Sequence, residues 1–186
     1  MSNLFAGDII FGESSGTVPV KYEIERKFLV AQLPQDMDSA SLRRSEITQM
    51  YLFVDGDREE RIRKEDDSYC LTFKEGRGLK RKETEIALRK DDFKALAVHA
   101  IGSAIRKTRC AIPYENNTVY VDAYAGRLAG LVVAEVEFGS EAEAHMFIAP
   151  SWFGKEVTGN KTYSNSSLAL SADGLSEVLR RKLPSQ

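Results

Sequence analysis

Two histidines and two cysteines are all that this 186-residue chain offers of the softer metal-ligand side chains. His99 and His145 fall in helix-like stretches, with no cysteine or second histidine at ligand spacing, so a histidine-based zinc site is not expected. Cys70 and Cys110 lack CxxC spacing, and reduced thiols in a cytoplasmic protein are expected rather than a single disulfide. No apolar run approaches the ~20 residues of a membrane-spanning helix. The opening MSNLFAGDIIFG has no basic region and contains Asp8, so it does not read as a secretory signal. Neither sign of charge dominates. The 26 basic and 28 acidic residues leave a net charge of −2, and a dedicated nucleic-acid binder usually shows a basic excess. No nucleic-acid or membrane partner is expected, although overall balance leaves room for charge to segregate within the fold.

What the chain does have is alternation. Residues two apart on a strand share a face, and YEIERKFLV (Tyr22–Val30) puts Glu23, Glu25 and Lys27 on one face. Ile24, Arg26 and Phe28 take the other. Further strands are predicted over Ile47–Val54, Glu59–Lys64, Tyr69–Lys74 and Lys80–Leu88, separated by turn clusters such as Asp55-Gly56-Asp57. The period then changes. Asp91 is placed to cap a helix running to about Ile105, with Phe93, Leu96, Ala97, Ala100 and Ile101 on one face. Strands resume at Ile105–Tyr114, Val119–Tyr124 and Leu131–Phe138. A short helix opens with capping-box spacing at Ser140 and Glu143, and the tail from Leu175 to Leu183 reads as helical. Eight strands and a few helices define an α+β protein with a mostly antiparallel sheet. Periodicity does not reveal how that sheet pairs or closes.

The charged face persists from strand to strand. Arg61 and Arg63 flank Ile62; Thr72 and Lys74 oppose Leu71 and Phe73; Arg81, Glu83 and Glu85 follow at the same spacing. Lys107 and Arg109, Tyr120 and Asp122, and Glu135 and Glu137 continue it. Any one of these strands reads as the solvated side of a half-exposed sheet. Together they carry Arg, Lys, Glu and Asp rather than a loose polar mixture. Enclosed charge of both signs has to be neutralised, since an unpaired buried charge costs several kcal/mol. A polyanion with a divalent metal meets that need. Arg and Lys bind phosphate oxygens, while carboxylates bind Mg²⁺ or Mn²⁺. A metal-positioned water then needs no Ser, Cys or His nucleophile.

These residues resemble the signature of the CYTH superfamily, the triphosphate tunnel metalloenzymes. The ExExK core at Glu23, Glu25 and Lys27 is followed in family order by Gln49 and Tyr51, Arg61–Arg63, Thr72–Lys74, Arg81–Glu85, Lys107–Arg109, Val121-Asp122, Gly130–Phe138 and Glu156–Ala169. The resemblance implies a closed eight-stranded antiparallel β-barrel, a tunnel with a few flanking helices, acting on triphosphates with Mg²⁺ or Mn²⁺. It implies metal ligation by Glu23 and Glu25 with Glu135 or Glu137, and an assisting role for Asp122 and Glu85 toward metal or water. It implies triphosphate contacts from Lys27, Arg61, Arg63, Lys74, Arg109 and Lys161, with Lys107 a weaker candidate.

Lys27 with Tyr51, and the ending TGNKTYSNSSLA, resemble the bacterial inorganic triphosphatase branch. Hydrolysis of triphosphate to pyrophosphate and phosphate is the activity implied, with Lys27, Tyr51 and Glu85 catalytic. A tyrosine hydroxyl near the ammonium would orient it. Met50 departs from the glycine common in relatives. An adenylyl cyclase, or a nucleoside or thiamine triphosphatase, is the alternative on the same fold, with Phe53 and Tyr124 available to stack on a base. A polyphosphate-binding module without turnover is a third reading, which the number of acids disfavours. The expected organisation is an extension over 1–20, the tunnel domain over 21–170 and a helical tail over 171–186, as a monomer or homodimer.

Overall fold

Alternation along the chain becomes inside and outside of a closed barrel. The structure is a computed structural model describing residues 20–30, 32–33 and 41–172. Its strands are β1 (Val20–Val30), β2 (Arg43–Asp55), β3 (Arg58–Glu65), β4 (Ser68–Glu75), β5 (Lys80–Ala87), β6 (Ile101–Tyr114), β7 (Asn117–Tyr124), β8 (Val132–Glu137) and β9 (Phe153–Glu156). Three short helices accompany them: α1 (Lys90–Ala97), α2 (Glu141–Met146) and α3 (Asn165–Leu170). Neighbours run β5-β4-β3-β2-β6-β7-β8-β1, all antiparallel. The ring closes where Val20–Ile24 of β1 pair with Lys80–Thr84 of β5. Closure leaves no long unpaired edge among these eight strands.

Apolar side chains gather in two places. Outside the wall, Ile24 and Phe28 of β1, Val119 and Val121 of β7, and Ala134 and Val136 of β8 are buried beneath Ala144 of α2 and Phe153 of β9. Inside, at one end of the barrel, Tyr51, Ile105, Tyr124 and Val133 pack against Leu128, Leu131, Val157, Tyr163 and Leu168. Each Val, Leu, Ile or Phe among them contributes about 1.5–3 kcal/mol on full burial. Between this apolar end and the opposite rim, the lumen is polar.

Arg26 sits on the outer face, as the alternation predicts. Its guanidinium lies 5.0 Å from the Phe28 ring centre and bonds the carbonyls of Ala144 and Phe147.

The expected eight-stranded ring is present, and the four-residue β9 adds to β1 beside it. The helix expectations are corrected. The helix predicted to reach Ile105 ends at Ala97, and β6 starts at Ile101. The apolar residues there fit helical spacing, but pairing of Ile101 with Tyr51 of β2 wins. Arg89 precedes that helix in place of an Asp91 cap, clamped to Asp92 at 2.8 Å. Ser140 does cap α2 through the Glu143 amide, while the Glu143 carboxylate accepts from Gly139. Of the expected extension over 1–20, residues 1–19 lie outside the described residues and Val20 begins β1; the segment around Pro34 and the predicted tail helix also lie outside them. Cys70 and Cys110 are free and buried. No helix among the described residues is long and apolar enough to cross a membrane.

Candidate active site

The inward faces of the strands converge on a polar chamber of about 80 Å³. Eight basic and six acidic side chains line it: Lys21, Lys27, Arg61, Arg63, Lys74, Arg81, Lys107 and Arg109 against Glu23, Glu25, Glu83, Glu85, Glu135 and Glu137. A second cavity of about 230 Å³ adjoins it, and Glu25, Lys27 and Arg81 line both. This outer cavity forms where β1 exchanges one neighbour for another: β5 pairs with it as far as Ile24, and β9 takes over from Phe28. The lips of the gap are Gly76–Gly78 on one side and Val157–Lys161 on the other. They approach so closely that a Cβ on Gly159 would lie 3.2 Å from the Gly78 Cα. Gly159 also has φ +69°, so both space and backbone favour glycine there.

Three of the predicted metal ligands come together. Glu23 and Glu25 from β1 and Glu137 from β8 each offer a carboxylate oxygen, and these oxygens lie within 4.8 Å of one another. The register explains it, since Glu25 stands opposite Glu137 and Glu23 shares its face two residues away. Burial, reinforced by the Glu135 carboxylate, pushes Glu25 above the ordinary carboxylate pKa. Burial and Glu23 do the same to Glu137. Glu23 moves the other way. Burial opposes its charge, but Lys74 and Arg81 outweigh that and hold it at about 2. In two of the three carboxylates the protein therefore undercompensates the charged form. Hard oxygen donors in this state suit a divalent cation such as Mg²⁺ or Mn²⁺.

The other two predicted ligands stand outside that cluster, each bonded to bases. Glu135 lies 2.8 Å from the Lys27 ammonium and 2.6 Å from Arg109. Despite burial, Lys27, Lys107 and Arg109 hold it well below the usual carboxylate range. Asp122, fully buried, accepts from Lys107 at 2.5 Å and from both Arg109 Nε and a terminal Arg109 nitrogen at 2.7 Å. Glu85 stands at the rim, 3.2 Å from Arg63.

The predicted phosphate contacts ring the same space. Lys74 reaches both Glu23 oxygens at 2.7 Å and Glu83 at 2.8 Å. Burial, with Arg61 and Arg81 nearby, lowers its pKa. The Lys27 pKa rises: burial opposes its charge, but Glu135 and Glu25 prevail. The Nε atoms of Arg61 and Arg63 are buried without a hydrogen-bond partner. Buried donors are normally satisfied; Arg63 Nε has only the Glu65 carboxylate, at 3.8 Å. Lys161 lies on the outer cavity in a 3₁₀ turn, Lys161–Tyr163, away from the inner ring. Tyr51 faces inward beside Arg61, and its hydroxyl accepts from Gln49 Nε2 at 3.1 Å; burial raises its pKa. The Lys27 ammonium is engaged by Glu135 and Glu25 rather than by this hydroxyl.

Sequence reasoning left some site residues unassigned. Arg81 reaches Glu23 at 2.8 Å and Glu59 at 3.4 Å. Its spacing with Glu83 and Glu85 carried that signal. Asn165 also lines the chamber, accepting from the Tyr124 hydroxyl at 2.5 Å. It belongs to α3, where strand alternation gives no cue.

Fold and site together define a closed antiparallel barrel whose lumen pairs an acidic cluster with a ring of bases. Comparison with known proteins agrees. The family model of the CYTH domain matches residues 21–168. An inorganic triphosphatase of Nitrosomonas europaea is 41% identical over 152 residues, 80% of this chain and 97% of that protein. An inorganic triphosphatase of Acetivibrio thermocellus is 33% identical over 148 residues, 78% of this chain and 92% of that one. The crystal structure of an inorganic triphosphatase superposes with a TM-score of 0.60 at 38% identity, covering 82% of this chain and 97% of its own. A conserved hypothetical protein from Pyrococcus furiosus, 23% identical with a TM-score of 0.51, shares the fold over 66% of this chain and 82% of its own. The chain belongs to the CYTH family.

Proposed function

We propose that the chain hydrolyses inorganic triphosphate to pyrophosphate and phosphate with a divalent cation, Mg²⁺ or Mn²⁺, held by Glu23, Glu25 and Glu137. The observation that carries the reading is the convergence of those three carboxylates inside a ring of eight bases. The inorganic triphosphatases at 41% and 33% identity support the substrate. In water attack on phosphorus, a new P–O bond forms as the anhydride P–O bond breaks, and pyrophosphate leaves.

A divalent cation at the carboxylates supplies charge neutralisation and a more acidic water. The chain's own residues do the rest. Arg61, Arg63, Lys74, Arg109 and Lys107 bind the phosphate oxygens, and the orphaned Nε atoms of Arg61 and Arg63 gain acceptors. Lys27, kept protonated by Glu135, steadies the charge that develops on the leaving oxygens. Tyr51, its pKa raised, stays protonated and donates rather than acting as a base. Glu85 fixes Arg63 at the rim, and Lys161 meets the end of the substrate nearest the outer cavity. Asp122 and Glu135 hold Arg109 and Lys107 in place. The protein acts in the cytoplasm as a monomer or homodimer.

The test is a panel of triphosphate, ATP, thiamine triphosphate and pyrophosphate, each with Mg²⁺ and with Mn²⁺. Triphosphate is expected to give the highest kcat/KM. Cyclic AMP from ATP would favour the cyclase reading, and tight triphosphate binding without phosphate release a binding module.

A further inference from the structure

Arg26 faces away from the tunnel, and its position in the signature stretch gives it no part in the chemistry. Its contacts give it one. The guanidinium grips Glu156 with two nitrogens, at 3.0 and 2.7 Å, and the carbonyls of Ala144 and Phe147 at 2.9 and 3.0 Å. The Glu156 oxygen that accepts from Arg26 Nε also accepts from the Thr158 hydroxyl at 2.7 Å. That hydroxyl in turn accepts the backbone N–H of Lys27 at 3.0 Å. The Val157 amide donates to the Lys27 carbonyl at 2.8 Å. The chain of bonds passes from the outer wall, around the end of β9, to the backbone of the residue that faces Glu135 and Glu25. It lies where β1 has let go of β5, so no ladder partner from β5 steadies this stretch. Beyond Thr158 the segment forms the lip of the outer cavity, with Gly159 against Gly78 and Lys161 two residues further on.

We propose that Arg26 is a positioning residue: through Glu156 and Thr158 it fixes the Thr158–Lys161 lip against β1 and so sets Lys161 at the mouth of the tunnel. A two-point grip on one carboxylate and two carbonyls needs a planar fork, which lysine lacks. The proposal rests on the triphosphatase reading.

The test is a double-mutant cycle between Arg26→Gln and Lys161→Ala, read on triphosphate KM, kcat and Kd. Arg26→Gln is expected to raise KM and Kd about tenfold with kcat within about twofold, and Arg26→Lys not to rescue. Lys161→Ala is expected to weaken binding about tenfold in the wild-type background and less than about twofold beside Arg26→Gln, because residues acting as one unit are not additive. A structural role alone would lower Tm and leave the two effects multiplicative. If Arg26→Gln does not fold, Thr158→Val cuts the same chain on the Lys27 side while sparing the clamp on α2, and the cycle is run with it. Multiplicative effects, or unchanged KM and Kd in the single variant, overturn the proposal. A wild-type protein that binds triphosphate without hydrolysing it defeats the functional reading alone, since Kd still reads the cycle.

Discussion

Asp122→Asn isolates what holds the basic ring in place. Asp122 is fully buried, and three charge-assisted hydrogen bonds converge on it, one from Lys107 at 2.5 Å and two from Arg109 at 2.7 Å. Asparagine keeps the volume but removes the charge and turns an N–H₂ toward two cations. Breaking a buried ion pair from one side costs roughly 3–5 kcal/mol, because the other charge stays buried and unpaired. Glu135 still faces Arg109 at 2.6 Å, which places the loss at the lower end, about 3 kcal/mol. For a chain of this length that corresponds to a fall in Tm of about 6–12 °C.

The sign of a second change makes the test sharper. Lys107→Met lowers Tm in the wild-type background, where it removes one of the three charge-assisted hydrogen bonds on Asp122 and leaves the two from Arg109. In the Asp122→Asn background it removes the stranded ammonium, whose pKa burial already depresses despite Asp122, and raises Tm. Thermal unfolding of the four proteins at low ionic strength reads the cycle. A Tm within about 3 °C of wild type for Asp122→Asn, or a Lys107→Met effect of the same sign in both backgrounds, would refute the reasoning.

Other outcomes follow from the same charges. Glu25→Gln removes metal-dependent turnover and weakens Mg²⁺ binding by calorimetry, while Tm stays within about 3 °C or rises, because this carboxylate is undercompensated in the free protein. Metal binding needs Glu25 and Glu137 deprotonated, and both have raised pKa values. Protons therefore compete with metal to a higher pH than for an ordinary carboxylate, and Mg²⁺ affinity climbs as pH rises through that range; an affinity flat with pH contradicts the assignment. Gly102→Ala places a Cβ 2.5 Å from the Ala169 carbonyl oxygen at φ +67°, and is expected to destabilise by about 2–4 kcal/mol in urea unfolding. Because α3 carries Asn165 into the chamber, activity at permissive temperature falls as well.

Much of the lumen was legible because strand alternation maps residues to faces. Glu23, Glu25 and Lys27 needed only a period of two to be placed on one side. Their facing inward needed the recurrence of charge on later strands, and closure needed family resemblance, since no pattern in β1 says that Val20 will pair with Thr84. Which acid meets which base was beyond the sequence. Glu135 and Glu137 share a face and a residue type, yet one pairs with Lys27 and Arg109 while the other joins the acidic cluster. That division depends on the stagger of strands around the barrel. Strand β9 was too short for alternation to register, and Arg26, read as peripheral from its facing, is tied to the mouth through a strand that was not foreseen. The apolar spacing of Phe93 to Ile101 was real, but sheet pairing of Ile101 with Tyr51 overrode it.

The measurement that tests the central claim most directly is anomalous diffraction at the manganese edge from crystals grown with Mn²⁺. The account predicts a peak bounded by Glu23, Glu25 and Glu137, lost in the Glu25→Gln variant. Manganese bound elsewhere in the tunnel, or undiminished in that variant, would contradict it.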